Sequence, residues 1–168
     1  MLPIVLDPKL VVVGLAGAGE GLARRRALLA EAGIAPVSIA ADARDEALQG
    51  LAVLFVAGLP LAKAKALAAR ARLAGIFVNV EDVPALCDFH VPAVIRRGDL
   101  VISVSTGGKA PGLARLIREW LGRRLGAEWG ARLSDIAQAR TAWRAAGHSP
   151  AGVAERTCAH VAARGWLP

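Results

Sequence analysis

Residues 79–111 read NVEDVPALCDFHVPAVIRRGDLVISVSTGGKAP. A strand-sized run, Gly75-Ile76-Phe77-Val78-Asn79, leads into the acidic pair Glu81-Asp82. A second apolar run over residues 100–104 leads into Ser105-Thr106-Gly107-Gly108-Lys109. Open α/β sheets hold their ligands at the carboxyl ends of buried strands, so carboxylates and glycines in these two places are the first candidates for chemistry.

Upstream of this stretch the pattern alternates. The β-branched run at residues 10–13 ends in glycines and reads as a buried parallel strand. Residues 19–32 carry leucines at 22, 28 and 29 and stop at Gly33, which predicts a helix with a glycine terminus. Strands are predicted over 37–40, 51–57 and 76–80, with a helix starting at Pro60 and running to residue 74. The 100–104 run adds a fifth strand. Downstream the pattern is helix only, over 112–125, 128–146 and 150–164. The first of these has an apolar stripe at Leu113, Leu116, Ile117, Trp120 and Leu121, and the last begins at the N-cap pair Ser149-Pro150.

The fold class that follows is α/β: a Rossmann-like parallel sheet, then a small dimerisation region, then an all-helical tail. The corresponding divisions are 1–80, 81–111 and 112–168. All four tryptophans (Trp120, Trp129, Trp143, Trp166) lie in the tail, which points to burial there, with a second subunit as a natural cover.

The chain has 168 residues and a net charge of +7. From residue 112 onward nine arginines face four acids, a balance suited to an anionic partner. There is no tyrosine, and no aromatics interleave with the arginines, which disfavours nucleic acid; solvated helix arginines are the plainer alternative. No apolar run approaches the ~18 residues needed to cross a membrane. Asp7 before the 10–18 run makes a poor signal-peptide start, so a cytoplasmic protein is expected. Cys87 and Cys158 fit no CxxC or metal spacing and read as reduced core residues.

Three constellations carry candidate chemistry. The cluster Gly14 to Gly21 contains a GxG at Gly17 and Gly19, with Ala18 and Glu20, where a helix N-terminus could receive a pyrophosphate. Its third glycine position is Leu22, which is expected to hold the helix away from the strand. Asp42, about 20 residues on, suits a ribose hydroxyl or a plain surface turn equally well. Asp82 ends the fourth strand as a candidate general base, or simply starts a turn before Pro84. Residues 105–111 offer hydroxyls and amides to an anion, or merely reverse the chain. GxxxxGK[ST] is absent, so this is not a P-loop.

Taken in order, these motifs resemble the precorrin-2 dehydrogenase family, the NAD-dependent module of siroheme synthesis that occurs alone or fused to a uroporphyrinogen methyltransferase. Residues 75–82 match its "gilvNvvD" segment, and Leu86-Cys87-Asp88-Phe89 with Pro92 matches "lCdFxxPa". Arg97 to Glu119 matches "rgdlviavSTGGkSPvlArliRe", and the likeness covers roughly residues 2–125.

The resemblance implies a homodimer that oxidises an anionic tetrapyrrole, precorrin-2, to sirohydrochlorin with NAD as hydride acceptor, some members also inserting ferrous iron. It places the essential aspartate on Asp82, with iron a transient visitor there if chelation occurs and no permanent metal. It places the tetrapyrrole-lining turn on Ser105, Thr106, Gly107 and Gly108, and the pyrophosphate turn on Gly17, Ala18 and Gly19. The macrocycle's eight carboxylates make Lys109, Arg96, Arg97 and Arg115 candidate partners. One departure is the segment Val56-Ala57-Gly58-Leu59-Pro60, where the family shows polar residues facing the cofactor. The alternative reading is therefore a tetrapyrrole-binding or chelatase-only homologue with a weakened NAD site, and a further one is a redox-sensing Rossmann domain.

Overall fold

The computed structural model describes residues 2–167 and divides into two compact units, residues 1–91 and 92–168.

The first unit is a four-stranded, all-parallel sheet: β1 (Val13–Gly17), β2 (Val37–Ile39), β3 (Val53–Ala57) and β4 (Phe77–Val80), in the order β2-β1-β3-β4. Strand alternation divides β3 between two cores. Leu54 and Val56 pack with Leu67, Ala68 and Ala71 of helix α2 (Leu61–Leu73), and Val53 and Phe55 pack with Leu15 and with Leu29 of helix α1 (Gly19–Glu31). Burial on both faces explains why β3 is apolar throughout. The expected Rossmann-like sheet is present. Its topological switch point falls between β1 and β3, where the chain has turned from the β2 side to the β4 side.

Two sequence expectations shift. The first strand is Val13–Gly17, starting three residues later than the β-branched run at 10–13 and overlapping it only at Val13. Leu10 and Val12 are exposed, and the chain turns at Asp7, whose carbonyl accepts from the Leu10 and Val11 amides. Register with β2 and β3 outweighs β-propensity here, because pairing at Gly14–Gly17 buries the two-sided strand. The second shift concerns residues 100–104. They form a strand, β6 (Leu100–Val104), but it pairs antiparallel with β5 (Ala93–Arg97) in a separate hairpin and does not join the parallel sheet. The two-residue Gly98-Asp99 turn, with Gly98 at φ +58, is the signal that marks such a hairpin in a sequence.

β4 is an edge strand, and the following segment closes it. The Asp88 carboxylate accepts from the Val78 amide at 2.8 Å and from Arg72 Nε at 2.9 Å, and Val78 O accepts from Asp88 N. Buried Asn79 donates to Phe89 O at 2.9 Å. Cys87 is a free thiol that donates to Val80 O. The Leu86–Phe89 motif is thus a clamp on the edge of the sheet, which keeps unpaired amides from water or a foreign strand.

The second unit joins the hairpin to α3 (Pro111–Arg124), α4 (Glu128–Ala145) and α5 (Pro150–Ala163). Ser149 Oγ accepts from Gly152 N, the N-cap that Ser149-Pro150 predicts. Arg97 donates to Leu125 O, Gly122 O and Arg96 O, so its guanidinium caps the carbonyl end of α3. Few side chains are fully buried here, while Leu113, Leu116 and Trp120 lie exposed along α3. His160, 13% exposed, sits edge-on between Trp143 and Trp166 and donates from Nε2 to Asp135 at 2.7 Å. No described helix is long and apolar enough to cross a membrane.

The His160 hydrogen bond, assisted by Arg164, holds the Asp135 carboxyl below its ordinary value. A depressed carboxyl stabilises the fold at pH above the unfolded-state value of about 4, and that contribution disappears as pH falls through the folded-state value. All the tryptophans lie in this unit, so their fluorescence reports its unfolding. Between pH 5 and pH 2 the fluorescence-detected Tm should drop further for the wild type than for Asp135→Asn. Parallel curves would show that the pair does not couple to stability.

Candidate functional site

The carboxyl ends of β1, β3 and β4 lie side by side in the first unit, and each carries a candidate. At β1 the chain leaves through Gly17 (φ +154) and Ala18 into α1, whose first residue is Gly19 (φ +63). Ala18 N donates to Ala57 O at 3.1 Å, tying the β1 turn to the end of β3. A Cβ on Gly17 would overlap Ala57 O, and one on Gly58 (φ +68) would overlap Ala18 O. Only glycine fits at either place. At Gly19 a Cβ would meet nothing, so that backbone is open to an approaching ligand. This arrangement fits a dinucleotide phosphate: two turns pressed together, an open glycine, and the free amides of a helix N-terminus beside them.

The structure corrects the expectation for Leu22. Leu22 packs against the Val13, Leu15 and Phe55 core and does not wedge the helix away. The residue that lets α1 come close is Gly21, which is buried; a Cβ there would meet the Glu81 carboxylate and lie 3.3 Å from Gly58 N. The working pattern is Gly17, Gly19 and Gly21, one residue tighter at its end than the GxGxxG spacing. Gly58 likewise accounts for the departure after β3, since polar side-chain bulk is replaced there by contact between backbones.

Among the other cofactor candidates, Glu20 is exposed in the first turn of α1 and pairs with Arg24 at 3.7 Å. Asp42 is exposed three residues beyond β2, beside an open depression lined by Ala43, Arg44, Asp45, Glu46 and Arg70. Both stand on the sheet's carboxyl edge.

Asp82 follows β4 in the left-handed region, at φ +59, the one described non-glycine residue there. Such a conformation is uncommon, although aspartate tolerates it better than most residues, and it is a feature that gathers at functional sites. Its side chain is exposed and has no hydrogen-bond or ion-pair partner among the described residues. Its neighbour Glu81 takes the opposite course. The Glu81 amide extends the sheet by donating to Val56 O at 2.9 Å, and its side chain, 18% exposed, turns in toward Gly21 with Arg24 at 3.6 Å. Arg25, half-buried over the Phe55 ring, has its pKa lowered by burial, with Glu81 the foremost charge opposing that shift. The sequence marks Glu81 and Asp82 as an acidic pair but gives a role to Asp82 alone, since nothing in it distinguishes a carboxylate that turns inward from one that faces water.

In the second unit the 105–109 segment is a shaped loop. Gly107 N donates to Ser105 Oγ, and Ala110 N to Thr106 Oγ1, just before α3 begins. Gly107 and Gly108 both have positive φ. Lys109 and Arg96 are exposed, and Arg115 is exposed with Glu119 at 4.0 Å. Arg97 is the exception among the candidate cations, being engaged with helix carbonyls. No three described His, Cys, Asp or Glu side chains converge as a metal site.

A family profile described as "Putative NAD(P)-binding" matches residues 4–93, and one described as "Sirohaem biosynthesis protein central" matches residues 97–124. The chain belongs to the family of the siroheme-synthase N-terminal module. The siroheme synthase of Methylococcus capsulatus is 37% identical over 137 residues, covering 70% of this chain and 29% of the relative. That of Thiobacillus denitrificans is 35% identical over 157 residues, covering 81% and 32%. The chain thus spans about a third of the length of these relatives. A solved structure titled "SirC, precorrin-2 dehydrogenase" superposes with a TM-score of 0.69 at 20% identity, covering 94% of this chain and 88% of that one, which shows a shared fold. The first unit is accordingly the part of the module that the NAD(P)-binding profile matches.

The glycine geometry separates two effects. Gly58→Ala should lower the stability of the first unit by about 2 kcal/mol or more, because strain and a backbone clash add. Gly19→Ala should cost only about 1 kcal/mol, since its Cβ enters open space, yet weaken NAD binding at least as much. Denaturant titration by circular dichroism together with calorimetry checks both; equal stability losses would contradict the contact described here.

Proposed function

We propose that this module oxidises precorrin-2 to sirohydrochlorin, with NAD as the acceptor. The observation that carries this reading is the pairing, in one unit, of a glycine cradle at the β1–β3 switch point with a carboxylate held at positive φ just after β4. The reaction removes one hydride and one proton from the macrocycle, so that precorrin-2 and NAD+ become sirohydrochlorin, NADH and a proton. The dinucleotide supplies the hydride acceptor. Gly17, Ala18, Gly19 and Glu20 would hold its pyrophosphate region and Asp42 a ribose hydroxyl. Asp82, unpaired and exposed, would take the proton.

Tetrapyrrole carboxylates are assigned to Lys109, Arg96 and Arg115, and to the amides and hydroxyls of Ser105, Thr106, Gly107 and Gly108. Arg97 would contribute by fixing α3 and the hairpin around them. The exposed Leu113, Leu116 and Trp120 face supports the homodimer, since such a stripe is costly to leave in water. A cytoplasmic location goes with the two free cysteines. Ferrochelation is a second activity to be considered, favoured by the same free Asp82 carboxylate, with ferrous iron as substrate.

Purified protein given precorrin-2 and NAD should develop the sirohydrochlorin absorption spectrum with stoichiometric NADH. Asp82→Ala should reduce the rate by about 100-fold or more, the scale of a lost general base, while retaining NAD binding by calorimetry. A fully active Asp82→Ala would remove the proton-transfer role, and an inactive wild type that binds the tetrapyrrole tightly but not NAD would favour the chelatase reading.

A further inference from the structure

Glu81 is a carboxylate that the proposed reaction does not use, yet it is the most enclosed acid at the carboxyl edge of the sheet. Its side chain is 18% exposed, compared with 96% for Glu20 on the first turn of the adjoining helix. No hydrogen bond reaches its carboxylate among the described residues; its one ion-pair partner is the largely exposed Arg24, at 3.6 Å. Gly21 is glycine where any side chain would strike that carboxylate, so the enclosure is built by both elements. Arg24 is largely solvated and the nearby Arg25 lies over the Phe55 ring, so neither hydrogen-bonds the carboxylate, and its charge acts at that point only partly offset.

The position also has a direction. In a doubly wound sheet the carboxylate after the second strand marks the adenosine side of the crevice. Here Asp42 follows β2, on one side of β1, and Glu81 follows β4, on the other. A dinucleotide whose pyrophosphate meets α1 therefore presents its nicotinamide half toward the β3–β4 side. Oxidised nicotinamide carries one positive charge on its ring and the reduced ring carries none; the rest of the dinucleotide is the same.

We propose that Glu81 sets the preference of this site for the oxidised cofactor, favouring entry of NAD+ and release of NADH. The inference rests on the NAD-binding reading above. It makes Glu81 a specificity-determining residue, distinct from Asp82: the two consecutive carboxylates divide between an inward one that tunes the cofactor and an outward one that is free for the tetrapyrrole. Any effect of Glu81 on the pyrophosphate is the same for both redox forms and cancels in the ratio of their dissociation constants.

The test is calorimetric titration of the full chain with NAD+ and NADH separately, for wild type, Glu81→Gln and Arg24→Gln. Glutamine keeps the shape against Gly21 and removes the charge. The ratio Kd(NAD+)/Kd(NADH) should rise by about threefold to tenfold in Glu81→Gln, the size of a single partly screened charge at several ångströms. Arg24→Gln, which unmasks the carboxylate, should lower the ratio. An unchanged ratio in a folded Glu81→Gln overturns the proposal even if both affinities move together; should that variant not fold, an unchanged ratio in Arg24→Gln overturns it. If neither dinucleotide binds the wild type, it is the NAD-binding reading that has failed, and the two failures are thereby distinguished.

Discussion

Across the ends of β1 and β3 two backbone turns touch with no room for a side chain between them. Ala18 hydrogen-bonds to Ala57 O, and the faces of Gly17 and Gly58 lie directly on the carbonyls of Ala57 and Ala18. This reciprocal contact brings the start of α1 down over the switch point. It places Gly21 against the end of β4 and leaves Gly19 as the open stretch of backbone. Without the contact, the helix N-terminus and the β4 carboxylates would not belong to one edge. Parallel pairing of β1 with β3 from Val13–Val53 to Gly17–Ala57 delivers the turns to that contact, and the two apolar cores on either face hold the pairing in place.

From this edge the chemistry divides by strand. β1 supplies the phosphate cradle, β2 leads to an exposed acid, and β4 ends in two acids with opposite fates. Asp82 adopts positive φ and is left without a partner, and Glu81 continues the ladder by one hydrogen bond and turns its side chain inward. The ladder carries Glu81 one step past the strand end, and the left-handed backbone at Asp82 breaks the extended path there, which separates the two carboxylates. The edge is kept from fraying by the clamp from Cys87 to Phe89, so that the acids sit on a strand whose outer amides are satisfied.

The helical unit is organised differently. It is held as much by polar and aromatic contacts as by buried aliphatic ones: Arg97 on the carbonyl end of α3, His160 between two tryptophans and bonded to Asp135, and Arg132 over Trp129 and Trp166. Three of the four tryptophans are accounted for inside the unit. Trp120 lies outward with Leu113 and Leu116, which is why a second subunit enters the functional reading at α3 and not elsewhere in the tail.

Much of this was legible in the residues. Hydrophobic period and glycine stops located both Rossmann helices to within a residue, and the motif order named the family, because these are local signals. The first strand was misplaced because three valines outrank a glycine-rich VGLAG in propensity, whereas burial between two partner strands selects the latter. The hairpin was missed although its Gly-Asp turn was in plain view. What no local pattern could supply is which atoms meet: that Gly21 replaces the third glycine of the fingerprint, that Gly58 stands where a polar residue was expected, that Arg97 is bound to helix carbonyls, and that Glu81 turns in while Asp82 turns out. Each of these is a contact between segments far apart in the chain, fixed by strand register and helix approach, and composition and spacing carry no record of such distances.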